Sequence, residues 1–197
     1  MVFGTDSLTR PKDYASRPGL VLIVLALCCA LSGCTVRPEA KPTPEVARRA
    51  LILRDIDYNE SSFLITAQSG DLWAVNAFLA AGMNPNARNE RGETALILAA
   101  KKGEAAVARA LLEGGADVNA RDKEGWTALM RALQNQRREV VEILLARGPD
   151  LSARGKGGET ALALAVWKAD LSVVRKLLDM KADPNTQDND GSSLLES

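Results

Sequence analysis

Four glycines, Gly92, Gly125, Gly158 and Gly191, stand 33 residues apart, and this fixed period constrains the chain more than any other feature of it. Each of the first three is followed two places on by the same triplet: Thr94-Ala95-Leu96, Thr127-Ala128-Leu129 and Thr160-Ala161-Leu162. Gly82, Gly115 and Gly148 keep the spacing, and so do Asn86, Asn119, Ser152 and Asn185. Independent columns held in one register without a slip mark an array of repeated units, near 59–91, 92–124, 125–157 and 158–190, followed by a partial C-terminal unit. A unit this small cannot bury its own apolar face, so its stability must come from stacking on its neighbours.

Each unit reads as two helices and a turn. The triplet threonine is placed to N-cap a first helix, ALILAA in the second unit, whose alanines permit close packing. A turn at Gly70 or Gly103 leads to a second helix, AVARALLE, with leucines on its buried face. Gly82, Gly115 or Gly148 then ends that helix, where a left-handed residue is needed and glycine meets no Cβ clash. The connection to the next unit, ADVNARDKEG, is rich in Asn, Asp and Gly and predicts a hairpin-like turn. Aromatic residues are only 4% of the chain, so the core has to be built from Leu, Ala and Val.

The stretch Gly115 to Met130, GADVNARDKEGWTALM, resembles the ankyrin repeat, whose consensus runs G-A-D-V-N-A-x-D-x-x-G-x-T-P-L-H. The resemblance covers about residues 59 to 197 and implies an all-α solenoid of helix-turn-helix units that binds other proteins. Departures are local. Ala95-Leu96-Ile97, Ala128-Leu129-Met130 and Ala161-Leu162-Ala163 replace the family's Pro-Leu-His, removing a histidine hydrogen bond near the helix start. Lys181 replaces the glycine that ends the fourth unit, at a cost of about 1–2 kcal/mol if the left-handed geometry is kept. The first unit, with Ser62-Phe63 where the others have Ala-Leu, is degenerate and reads as a cap.

The N-terminus carries an address. After a polar stretch with Arg10, Lys12 and Arg17, Leu20 to Leu31 is uncharged and mostly apolar. As a helix it would cover roughly 18 Å against about 30 Å of bilayer hydrocarbon, too short to span. With its basic flank it has the form of a signal-peptide core. Leu31-Ser32-Gly33-Cys34 follows and resembles the bacterial lipobox, which implies a signal peptide over residues 1–33 and a lipidated Cys34. Cys28 and Cys29 would leave with the signal, so the mature chain would hold no other thiol. By analogy with lipoprotein sorting, Thr35 in place of aspartate favours the outer membrane, facing the periplasm. Residues 34–43, with Pro38 and Pro42, read as an extended tether whose nine residues after the cysteine reach roughly 28 Å. Thr43-Pro44-Glu45 starts a helix, and residues 44 to 57 read as one amphipathic helix, so that 44–58 caps the array.

Composition excludes several functions. The chain has no histidine, which removes Ser/His and Cys/His nucleophiles and histidine metal ligands. Twenty-five basic residues balance 25 acidic ones, leaving no basic field for nucleic acid. Asp117, Asp150 and Asp183 fall in the turn column, where Asp organises backbone hydrogen bonds rather than chemistry. Arg154-Gly155-Lys156-Gly157-Gly158 lacks the strand and the Gly-Lys-Ser/Thr ending of a phosphate loop and reads as an enlarged turn. The expectation is a non-enzyme without cofactor or metal, holding a protein partner from a lipid anchor in the cell envelope. A scaffold or adaptor leads, with a periplasmic inhibitor or immunity protein and a structural or small-ligand-carrying lipoprotein as alternatives.

In the family's geometry, turn tips and inner faces of the first helices are free to vary and form a concave platform. The variable columns here are Glu93, Trp126 and Glu159 between glycine and threonine, and the helix exits Gln68-Ser69, Lys101-Lys102, Gln134-Asn135 and Trp167-Lys168. A third column runs Ile65, Leu98, Arg131 and Leu164. Tryptophan and arginine are enriched in binding hot spots. An exposed Trp126 beside Arg131, Lys101 and Lys102 is therefore the leading contact patch, with Trp167, Lys168, Glu93 and Glu159 around it. The competing reading has both indoles merely covering neighbouring repeats. Trp73 is expected in the core against the capping helix.

Overall fold

The computed structural model describes residues 42–185, which belong to one compact unit, Pro42–Ser197. The signal segment, Cys34, the tether up to Lys41 and the partial fifth unit at Gly191 lie outside the described residues. Those described form nine α-helices: α1 Pro44–Ile52, α2 Glu60–Ser69, α3 Leu72–Ala80, α4 Ala95–Lys102, α5 Ala105–Glu113, α6 Ala128–Gln134, α7 Arg138–Leu145, α8 Ala161–Trp167 and α9 Leu171–Asp179. Besides them stand two isolated antiparallel bridges, Arg88 with Thr94 and Arg121 with Thr127, one across each of two hairpin turns. None of these helices is long and apolar enough to cross a membrane.

The repeated threonines act as the sequence requires. Thr94, Thr127 and Thr160 each have extended backbone, and their hydroxyls accept from the N–H of Ile97, Met130 and Ala163 at 3.4, 3.4 and 3.2 Å. The degenerate first unit caps α2 with Asn59 instead, accepting from Ser62 N–H at 2.8 Å. Helices end by one device. At Gly82 the backbone is left-handed (φ 86°), and N–H groups of Gly82 and Met83 return to the carbonyls of Leu79 and Phe78. Lys181 does the same without being glycine, at φ 68°, with its own N–H on Leu178 and that of Ala182 on Leu177. Gln136 and Ala169 occupy the positions of Gly70 and Gly103 at φ 56° and 53°.

Helix α1 stops at Ile52, short of residue 57. Asp55 takes φ 55°, its N–H bonds Ile52 O and that of Ile56 bonds Leu51 O, so the same left-handed ending closes α1 without a glycine to announce it.

Packing forms two rows. The first helices α2, α4, α6 and α8 stack in chain order through small residues; Ala95, Ala99, Ala132 and Ala165 are all at most 1% exposed. Helices α1, α3, α5 and α7 make the second row, filled by Leu51, Phe78, Leu111 and Leu144. The capping helix turns Ala47 and Leu51 inward onto α3, and Tyr58 after it stacks on Phe78 at 5.7 Å while its hydroxyl donates to Ala81 O at 2.9 Å. Along the first row these alanines stand beside larger buried side chains such as Phe63, Leu96 and Leu129, which fill the core at close-packed density.

Candidate partner-binding face

The turns that join successive units form a third row beside the first helices, each turn held by its own sequence. Asn89 Oδ1 accepts from the N–H of Arg91 and Glu93, and Asp122 Oδ1 accepts from those of Glu124 and Trp126, each at 2.9–3.0 Å. The third turn has Gly155 in this place, and Glu159 supplies the missing acceptor by taking the Gly157 N–H at 3.0 Å. Its backbone bonds, Gly155 N–H to Glu159 O and Gly158 N–H to Gly155 O, repeat those of Asp122 and Asn89. The glycine-rich stretch is therefore a turn of ordinary size, not an enlarged one.

Neighbouring turns are stapled by arginines that the sequence reading passed over. Arg88 Nη1 donates to Gly92 O at 2.9 Å and to Arg121 O in the next turn at 2.6 Å. Arg121 repeats this on Gly125 O and Arg154 O. Arg88, Arg121 and Arg154 share the 33-residue spacing, so the column test that found the glycines would have found them. Asn86 and Asn119 staple adjacent units too, accepting from the N–H of Asp117 and Asp150 at 2.8 and 2.7 Å. Asp117 and Asp150 in turn accept from the N–H of Asn119 and Ser152, the local role expected of them.

Four of the proposed contact residues, Glu93, Lys101, Trp126 and Arg131, do come together, but as a closed network. Trp126 is only 8% exposed, which corrects its placement as an exposed anchor. A Cβ on Gly155 would come 2.7 Å from Trp126 Nε1, so the indole uses space that the absent side chain leaves. Its other face carries the Arg131 guanidinium at 4.7 Å. Arg131 also donates to Asp122 through Nε at 3.1 Å and Nη2 at 2.6 Å, and to Glu124. Burial opposes the arginine's charge, but hydrogen bonds and charges from Asp122 and Glu124 outweigh it and raise its pKa further. Glu93 is buried, held by Asn89 Nδ2 at 2.9 Å and Lys101 Nζ at 3.3 Å. These opposite charges line a depression of about 140 Å³ with Arg91. Asp122, which ties the cluster to its turn, was missed because only contact distinguishes it from other turn acids.

The remaining candidates stand apart. Glu159 is half-buried and serves its own turn, whereas Lys102, Trp167 and Lys168 are exposed, Trp167 at 53%. Trp167 occupies in α8 the position of Gln68 in α2 and Lys101 in α4. Ile65 is 64% exposed, although Leu98 and Leu164 in its column are 5% and 3% exposed. Trp73 is 39% exposed with the Arg54 guanidinium 3.7 Å over its ring, which corrects its assignment to the core. Among the described residues no group of three or more Cys, Asp or Glu side chains could hold a metal ion.

Comparison with protein families matches residues 63–155 to a model described as ankyrin repeats (3 copies) and residues 144–196 to one described as ankyrin repeats (many copies). No curated protein matches the chain.

Proposed function

Because the chain belongs to the ankyrin-repeat family and is built as a protein-interaction scaffold, we propose that it holds a partner protein from a lipid anchor at Cys34, in the cell envelope and on the periplasmic face of the outer membrane. The observation that carries the binding face is the contrast between neutralised charge and free apolar surface. Glu93, Lys101, Asp122, Glu124 and Arg131 satisfy one another, while Ile65 and Trp167 stay in water at 64% and 53% exposure. Covering a large apolar side chain is worth about 1.5–3 kcal/mol, so Ile65 and Trp167 contribute more to a partner than the closed ion network does. Lipidation rests on the lipobox resemblance of Leu31-Ser32-Gly33-Cys34.

The test is a pull-down from the native envelope with residues 36–197, beside an Ile65→Glu/Trp167→Ala variant whose fold is checked by circular dichroism. One stoichiometric protein retained by the wild type and lost with the variant is the expected result. Equal retention by both excludes this face. The captured protein's activity with and without the array separates an adaptor from an inhibitor. Cys34→Ala should move the chain into the soluble fraction; a variant that stays membrane-bound and uncleaved refutes the lipid anchor.

A further inference from the structure

The row of turns is incomplete at its N-terminal end. Lys123 N–H donates to Arg91 O at 3.0 Å and Lys156 N–H to Glu124 O at 2.8 Å, so each turn hangs on the one before it. Glu90 stands one period earlier, and its N–H donates to no group among the described residues. Chain length explains this. Ala81–Thr94 separates α3 from α4 and builds a hairpin, whereas only Leu53–Asn59 separates α1 from α2.

The place of the absent turn is a groove of about 550 Å³ between α2 and the turn at residues 88–93. Ile65 lies in it, exposed where its column elsewhere is buried. The groove's Arg88 and its Glu93–Lys101 pair are already bonded within the chain. What the groove leaves open is the Glu90 backbone donor and the Ile65 side chain, with the exposed polar side chains of Glu60, Ser61 and Gln68 along the α2 wall.

We propose that this groove is the partner's docking site and that its occupant is an extended loop of the partner protein, added to the row as its missing member. A backbone carbonyl of that loop accepts from Glu90 N–H, and an aliphatic side chain covers Ile65. Main-chain pairing to an open edge supplies affinity, and the side-chain contact supplies selectivity. The proposal rests on the protein-binding reading above and locates it.

The probe is a synthetic peptide copying Asp117–Thr127, a turn that in the array bonds neighbours on both sides through Lys123 and Glu124. It is titrated into 15N-labelled residues 36–197, which include the whole of the compact unit. Saturable shifts at the Glu90 and Ile65 amides are expected, with affinity at least tenfold weaker for Ile65→Glu and unchanged for Leu171→Ala, an exposed position on α9 outside the groove. Glu90→Pro gives a second reading. Glu90 follows Asn89 in a turn closed by Gly92 N–H on Asn89 O, where proline is favoured. The variant thus keeps the turn and removes the donor, and it too should bind at least tenfold more weakly.

No shift at millimolar peptide, or shifts indifferent to both variants, overturns the proposal. So does a Glu90 amide protected from exchange in the free chain and released by deleting residues 36–41, since the tether would then be the occupant. A dimer in sedimentation that Ile65→Glu dissolves overturns it in favour of a second copy. An envelope partner lost with Trp167→Ala but retained by Ile65→Glu and Glu90→Pro leaves the binding function standing and refutes the groove.

Discussion

Asp122 shows how much one side chain can carry in such an array. Its Oδ1 holds two backbone N–H groups of its turn while Oδ2 holds Arg131, and Arg131 in turn lies on Trp126. Asp122→Ala removes the acceptors and leaves the partly buried guanidinium with only the exposed Glu124, so urea unfolding should report a loss of about 3 kcal/mol. Asp122→Asn keeps an acceptor for the turn and should cost roughly half as much. Backbone strain acts at the same scale. Ala169 and Lys181 hold φ of 53° and 68°, a region that penalises a Cβ by about 1–2 kcal/mol. Replacing either with glycine also frees the unfolded chain, which returns about 0.4–1 kcal/mol of that gain. Ala169→Gly and Lys181→Gly should each raise stability by about 0.5–1 kcal/mol in the same assay.

At the scale of the element, helix α9 is anchored by an acid-sensitive cap. Asp170 accepts from the Ser172 hydroxyl at 2.7 Å and from Val173 N–H at 3.4 Å, with Arg138 at 3.1 Å. The Ser172 bond foremost, and then Val173 and Arg138, hold its carboxyl below the ordinary value of 3.8 despite some burial. Asp150 is lowered likewise, first by the Ser152 hydroxyl and then by the Ser152 N–H. A carboxyl whose folded pKa is depressed stabilises the fold above its unfolded pKa and loses that contribution as pH falls through the folded value. Urea midpoints of the wild type and Asp170→Asn should therefore differ at pH 6 and converge as the pH falls through the depressed titration of Asp170. Asparagine keeps a cap acceptor, so the difference isolates the charge.

Across the molecule, units are joined by bonds that skip almost one full period. Asn119 Oδ1 on Asp150 N–H at 2.7 Å, Arg88 on Arg121 O and Arg121 on Arg154 O all cross unit boundaries. In a linear array, stability is a sum of unit terms and nearest-neighbour terms. Weakening one boundary should loosen the units beyond it before the rest. Asn119→Ala is expected to cost about 1 kcal/mol, to lower the dependence of stability on urea, and to speed hydrogen exchange at the Asp150 amide while Phe78 in α3 keeps its protection.

Sequence alone determined whatever repeats. Thr94, Thr127 and Thr160 cap, Gly82, Gly115 and Gly148 turn left-handed, and Leu111, Leu144 and Leu177 of the second helices go inside, because these demands are local and recur at one spacing. The family followed from the same columns. The sites of contact did not. Whether Trp126 faced water depended on the missing side chain of Gly155, 29 residues on, and on Arg131 closing over it. Trp73 was drawn out under Arg54 by a helix end that no glycine marks. Ile65, in a column that is otherwise buried, became an exposed wall because the short link Leu53–Asn59 builds no hairpin in front of it. A column records what a position has in common across units, while exposure depends on which neighbour is present or absent, and only the tertiary structure sets that.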